Sequence, residues 1–297
     1  MISLKTPHIL VIGGMNMDIL GRSDSGFRAG DSLIGQVDML PGGVGRNIAA
    51  RLRILGAEVE LLTAIGNDIF AGLLRESCKE LAIGLSLSLA VNAPSSRYMA
   101  IHDKAGEMHA ALNDMRTLNQ LSGGYIRNSL RGHAAFDACV LDANLGEDCL
   151  LASAKAVEAP LVADPVSAAK CRHLLPLLPY LTAIKPNLLE AQTLSGESEP
   201  GRASAKLRKL GVKQVYISMG AEGLYFADAH DSGLLPVKRI HGARVTGAGD
   251  AMAAGITLGV AAGFTARETA LFGISSAEQF LLNNKGPESE QQRKKLK

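Results

Sequence analysis

The chain of 297 residues has no tryptophan, and aromatic side chains make up only 4% of it. That scarcity removes the stacking platform on which single-stranded nucleic acids are held. An excess of either charge is also missing. Thirty-one basic residues (31) meet 29 acidic ones for a net charge of +2, so no field favours nucleic acid or an anionic membrane surface. The four cysteines, Cys78, Cys139, Cys149 and Cys171, form no C-x-x-C pair and stand at no zinc spacing with histidine. They read as small buried hydrophobes in a reducing compartment. No apolar run has the length that spans a bilayer, and Met1 to Pro7 has no signal-peptide core. The expectation is a cytoplasmic globular protein whose partner is a small molecule, with no nucleic acid and no membrane. Apolar content is plentiful at 47%, enough for one large core.

The rhythm of the chain is strand then helix. His8 to Ile12 is an apolar run closed by Gly13 and Gly14, the signature of a buried parallel strand. Val59–Ile65, Ala138–Asp142, Leu161–Asp164 and Leu181–Lys185 repeat that texture, and Val215–Phe226 reads as two strands around a glycine turn. Helical patterns fall at about 48–55, 68–81, 250–262 and 266–282. The fold class this implies is α/β, a doubly wound, mainly parallel sheet with helices on both faces. Two segments break the rhythm. Residues 22–40 are polar and dotted with glycine, and residues 97–112 read as a β-hairpin turning at Asp103–Gly106. They suggest a small sheet standing off one domain that spans 1–297; a lid over the strand ends and a decorative insertion both fit. Residues 285–297 are charged and read as a flexible tail.

The most informative stretch is Thr246-Gly247-Ala248-Gly249-Asp250, running straight into small and apolar residues. A glycine turn at a helix N-terminus gathers free N–H groups and the positive end of the helix dipole, which favours an anion. A carboxylate at that mouth is either a base that takes a proton from a hydroxyl or a helix cap, and the five residues alone leave both open. Pro41-Gly42-Gly43-Val44-Gly45-Arg46-Asn47 is a second glycine-rich segment. It is neither a P-loop nor a dinucleotide fingerprint, because the lysine and the third glycine those motifs need are absent. Asn16 and Asp18 follow the first strand, where open α/β sheets place ligands; they suit sugar hydroxyls or an ordinary turn.

Taken together, Gly42-Gly43 with Asn47, Asn187-x-x-Glu190, Ser218-x-Gly220-x-x-Gly223 and Gly247-Ala-Gly-Asp250 resemble the ribokinase-like (PfkB) family of carbohydrate and nucleoside kinases. The resemblance covers roughly His8 to Leu282 and implies a small β lid, transfer of the γ-phosphoryl group of ATP to a primary hydroxyl, and Mg²⁺. It implies Asp250 as base, with Gly247, Ala248 and Gly249 supplying N–H groups to the transferring phosphoryl. Asn16, Asp18, Gly42, Gly43 and Asn47 match positions that hold the sugar, with Asn113 and Arg46 as further substrate candidates. Lys185, Asn187, Ser218, Gly220, Gly223 and Thr246 fall at the ATP side, and Asn187 with Glu190 would order Mg²⁺ through water. Lys185 also reads as an exposed strand end, and Glu190 as a solvated helix charge. Lids in this family often pair, so a homodimer through the lid is implied as well.

Within the family, five stretches are similar to members that phosphorylate the 5′-hydroxyl of pseudouridine: residues 41–47, 112–115, 164–171, 185–196 and 245–252. The implied acceptor is therefore that nucleoside, and nothing in the sequence singles out the group that reads its uracil ring. One residue departs from the pattern. Many members carry an aspartate six residues before the catalytic one, where it helps hold a monovalent cation. Arg244 stands there, which implies weak potassium dependence.

Overall fold

The computed structural model describes residues 6–133, 135–243 and 245–284. The expected tail at 285–297 and Arg244 lie outside the described residues. In chain order the strands are β1 His8–Ile12, β2 Asn16–Ser23, β3 Gly35–Gly42, β4 Glu58–Leu62, β5 Ala64–Ile65, β6 Leu89–Ala90, β7 Arg97–His102 and β8 Met108–Asp114, followed by β9 Ala138–Asp142, β10 Leu161–Asp164, β11 Ala183–Ile184, β12 Gln214–Ser218, β13 Leu224–Ala227 and β14 Ser232–Leu235. The helices are α1 Val44–Ile54, α2 Ile69–Glu80, α3 Gly123–Leu130, α4 Glu147–Ala156, α5 Leu188–Ser195, α6 Pro200–Lys209, α7 Ala248–Ala261 and α8 Ala266–Asn283.

Eight strands form the main sheet in the order β14-β13-β12-β11-β10-β9-β1-β4. The pairs from β4 across to β12 are parallel, and β13 and β14 add antiparallel at the edge. Helices cover both faces, and this explains why β1 shows no polar alternation. Leu10 and Ile12 pack into the core beneath α3 to α6, whereas Ile9 and Val11 pack beneath α1, α2 and α7. Helix α7 is itself enclosed: ten consecutive residues, Ala251 to Val260, are buried. Its small side chains let it lie between the sheet and α8.

A second sheet of four strands has the order β3-β2-β7-β8. Its outer strands are antiparallel to their neighbours, and β2 and β7 are parallel. The two segments that break the βα rhythm both belong to it, and so does Asn16–Ser23, which the sequence suggested only as a turn after β1. Asn16, Asp18 and Gly21 are weak strand formers, and pairing on both sides overrides that local preference. Two other boundaries moved. Helix α1 starts at Val44 rather than 48, so most of the glycine-rich segment is helical. The expected strand 59–65 is interrupted at Thr63, whose N–H is satisfied by Ser88 Oγ instead of a neighbouring strand.

Candidate active site

Three parallel strands of the main sheet end side by side in polar residues. Asp142 and Asp164 are register partners at the ends of β9 and β10, and Lys185 follows β11. Asp142 is fully buried and accepts from the N–H groups of Gly14 (2.7 Å) and Asn144 (2.9 Å). Burial pushes its carboxyl up to about 6 against those hydrogen bonds. Lys185, which the sequence left as a possible exposed strand end, is buried and pairs with Asp164 at 3.2 Å. Burial alone would lower its ammonium pKa. The carboxylates of Asp164, Glu190 and Asp250 outweigh that and hold it above its ordinary value.

Asp250 lies in the first turn of α7, whose N-cap is Gly247 in the left-handed region with no side-chain cap. The capping alternative for Asp250 is therefore not what the structure shows. Its Oδ2 accepts instead from Asn47 Nδ2 at 3.1 Å, a residue 203 positions earlier on α1. Burial and the nearby Asp164 raise its carboxyl to about 7, with Asn47 and Lys185 opposing them. The N–H groups of Gly249 and Asp250 find no acceptor among the described residues. A Cβ placed on Gly249 would sit 3.5 Å from Lys185 Nζ, so the open helix end and the buried ammonium face one space. That space suits an anion beside a carboxylate poised to accept a proton.

The β2 end of the site is shaped by two glycines. A Cβ on Gly42 would meet Asp18 Oδ2 at 2.2 Å, and one on Gly43 would meet the Gly14 carbonyl oxygen at 2.5 Å. Gly43 also has φ +98°, which side chains rarely adopt. Asp18 accepts from Asn16 Nδ2 at 2.5 Å, and burial raises its pKa against the Asn16 bond and Arg46. Arg46 has a buried Nε with no partner among the described residues, a donor left free beside Asp18.

Asn187 and Glu190 form a reciprocal capping box on α5. Asn187 Oδ1 accepts from the Glu190 N–H, and Glu190 Oε2 from the Asn187 N–H. Glu190 is buried rather than a solvated helix charge, and desolvation raises its pKa. Asn187 is bridged to Ser218, which with Gly220, Gly223, Ala248 and Gly249 lines a cleft of about 460 Å³. Thr246 is exposed at the turn before α7. Asn113, on β8, is in register with Asp18 through Tyr98 and lines a separate cavity. Sequence reasoning gave no role to Asp142, Asp164, Asn144 or Lys170. The available signal was a carboxylate at the end of each of two apolar strands, where open α/β sheets place their ligands.

The charge arrangement predicts an inverted stability profile for one variant. Asp250 has a folded pKa of about 7 against an ordinary 3.8, so its carboxylate favours the unfolded chain, and that cost grows as pH rises from about 4 to 7. Asp250→Asn should melt higher than the wild type at pH 8, with the gap closing towards pH 4. Equal melting temperatures at pH 8 would show that the carboxylate is not held at a cost.

Comparison with known proteins gives the family. Residues 6–289 match the model of the pfkB family carbohydrate kinases. The chain is 34% identical to the pseudouridine kinase of Escherichia coli, over 84% of this chain and 82% of that one. It is 25% identical to the guanosine-inosine kinase of Exiguobacterium acetylicum, over 92% and 94%. Its fold is similar to the crystal structure of the ribokinase of Thermotoga maritima, with a TM-score of 0.80, 25% identity and 91% of each chain covered. The chain belongs to the pfkB family of carbohydrate kinases and is a phosphotransferase acting on a sugar or nucleoside hydroxyl.

Proposed function

We propose that this kinase transfers the γ-phosphoryl group of ATP to the 5′-hydroxyl of pseudouridine. The observation that carries the chemistry is the Asp250 carboxylate, held by Asn47 beside the uncapped end of α7. Similarity to a pseudouridine kinase over most of both chains supports the acceptor. Asp250 takes the hydroxyl proton as the new O–P bond forms and the bond to the β-phosphate oxygen breaks, leaving ADP. The N–H groups of Gly249 and Asp250 meet the charge growing on the phosphoryl oxygens, with Gly247 setting the turn and Lys185 adding its ammonium. Asp18, with Asn16, Gly42, Gly43 and Asn47, holds the ribose hydroxyls. The cleft lined by Ser218, Gly220 and Gly223, with Thr246 at its rim, takes the nucleotide.

The donor set fits Mg²⁺. Asp142, Asp164, Glu190 and Asp250 crowd one region with Lys185 as their buried cation, an excess of hard oxygen charge. Both Glu190 oxygens already bond Asn187, so Asn187 and Glu190 would hold the ion through water. When bound, it offsets the negative charge of the phosphates.

The four-stranded sheet would serve as the lid. Asp18, Tyr98 and Asn113 share one row of it, on the side of the site. The opposite side exposes Val37 (67%), Met39 (57%) and Leu112 (68%) around a groove lined by Ile19, Met99 and Ile101. We propose that a second copy of the chain covers this apolar side. The four free, buried cysteines suit a cytoplasmic setting, and no helix among the described residues is long and apolar enough to cross a membrane.

With pseudouridine and Mg²⁺-ATP, kcat/KM should rise with pH through a limb near 7, because the acting form of Asp250 is the carboxylate. Asp250→Asn should cost about 10² to 10⁴ in kcat and flatten that limb; turnover within a few-fold of wild type would remove Asp250 from the chemistry. Gly42→Ala, which pushes Asp18 aside, should raise the KM for the nucleoside about tenfold or more and leave the KM for ATP near its wild-type value. Val37→Asp should halve the mass seen in sedimentation, and a monomeric wild type would overturn the pairing. If ribose or a purine nucleoside is the best substrate in an ADP-release assay, the acceptor assignment fails while the kinase remains.

A further inference from the structure

Beside the sugar end of the site lies a polar cavity of about 500 Å³, lined by Asn113, Met115, Arg116, Asn119, Asn144, Lys170 and His173, among others. Two routes connect it with Asp18. Across the four-stranded sheet, Asp18, Tyr98 and Asn113 are successive register partners, two strand spacings or about 10 Å from end to end. Through the main domain, Gly43 packs on Gly14, Gly14 lies against Asn144, and Asn144 Oδ1 accepts from Lys170 Nζ at 2.6 Å. A ribose held at Asp18 therefore has a polar cavity alongside it that the phosphoryl chemistry does not use.

Lys170 and His173 are constrained in ways an ordinary surface pair is not. The turn leading to Lys170 runs through Val166 at φ +65°, a strained conformation for a β-branched residue. The half-buried Lys170 spends one N–H on Asn144 and keeps two donors. His173 Nδ1 lies 3.2 Å from the Ala143 carbonyl and 3.1 Å from that of Leu145. Both partners are acceptors only, so Nδ1 carries the proton, and in the neutral ring Nε2 is left as an acceptor.

Those properties meet a narrow chemical problem. Pseudouridine and uridine have the same outline, because the uracil ring is joined to ribose through C5 in one and N1 in the other. With the sugars superposed, every carbonyl and the N3–H coincide. The isomers differ at one ring position, where pseudouridine has N1–H and uridine has C5–H. A donor aimed at a carbonyl binds both, and only an acceptor aimed at that position tells them apart. We propose that this cavity takes the uracil ring, with Lys170 donating to a ring carbonyl and His173 Nε2 accepting the N1–H that marks pseudouridine. The inference rests on the proposed acceptor and supplies its specificity.

The test compares kcat/KM for pseudouridine, uridine and ribose in three variants, read as ratios. His173→Asn keeps an amide donor near the Nδ1 position and deletes the acceptor; His173→Gln places an amide oxygen near Nε2. His173→Asn should reduce the preference for pseudouridine over uridine at least tenfold, and His173→Gln should restore part of it. Lys170→Met should lower both nucleosides at least tenfold relative to ribose while leaving the ratio between them within about twofold. Equal losses on all three substrates, or ratios that do not move, would overturn the assignment and leave the kinase reading standing. A wild type that phosphorylates ribose but not pseudouridine would defeat the acceptor proposal and this one with it.

Discussion

The structure depends on how one buried ammonium is shared among carboxylates. Parallel register places Asp142 and Asp164 opposite each other at the ends of β9 and β10 and puts Lys185 one strand further along. Burial, with Asp164 adding to it, raises the Asp142 carboxyl above its ordinary value. Lys185 makes the arrangement tolerable, and its attraction to Asp164, Glu190 and Asp250 exceeds the desolvation that would otherwise discharge it. Surrounding donors complete the compensation: Gly14 and Asn144 N–H groups for Asp142, Asn47 for Asp250 and Asn187 for Glu190. Burial, with the charges of Asp164 and Asp142 adding to it, keeps Asp250 protonatable near neutral pH. The same burial that weakens the resting fold suits Asp250 to the base role proposed for it, since a general base works best with a pKa near the working pH.

Close backbone approach is the second condition. The Gly42–Gly43 step joins the four-stranded sheet to α1, and its missing side chains let Asp18 and the Gly14 carbonyl occupy that volume. Asn47 one turn later then reaches Asp250 across the domain. The Asp18 side and the Asp250 side of the site are thus fixed to each other through about one helical turn past Gly43, rather than through a long loop.

Much of this was legible in the residues. Apolar runs ending in glycine or aspartate marked the parallel strands, and Gly247-Ala-Gly-Asp250 marked the glycine turn into α7. The capping box carries a local signature too, Asn187 and Glu190 three apart, but in sequence the pair reads as Mg²⁺ partners or, for Glu190, as a solvated helix charge. What stayed hidden needs contacts between distant positions. Asn47 and Asp250 are 203 residues apart, and nothing local says that one bonds the other. Strand β2 was missed because Asn16, Asp18 and Gly21 look like a turn until both neighbouring strands are supplied. Lys185 looked exposed because a lysine at a strand end normally is, and only the three surrounding carboxylates make its burial affordable.

The division of labour between elements explains why the reaction is easier to read than the acceptor. Asp250 and the uncapped helix start sit on α7, beside the ends of the parallel strands that carry Asp142, Asp164 and Lys185. The groups proposed to meet the rest of the acceptor come from elsewhere: Asp18 and Asn113 from the four-stranded sheet, Lys170 and His173 from the segment after β10. Relatives in sequence bear the names of a pseudouridine kinase, a guanosine-inosine kinase and a ribokinase. A site assembled this way announces its reaction through backbone motifs and keeps its substrate in a few side chains, so specificity has to be argued from the hydrogen-bonding state of individual groups.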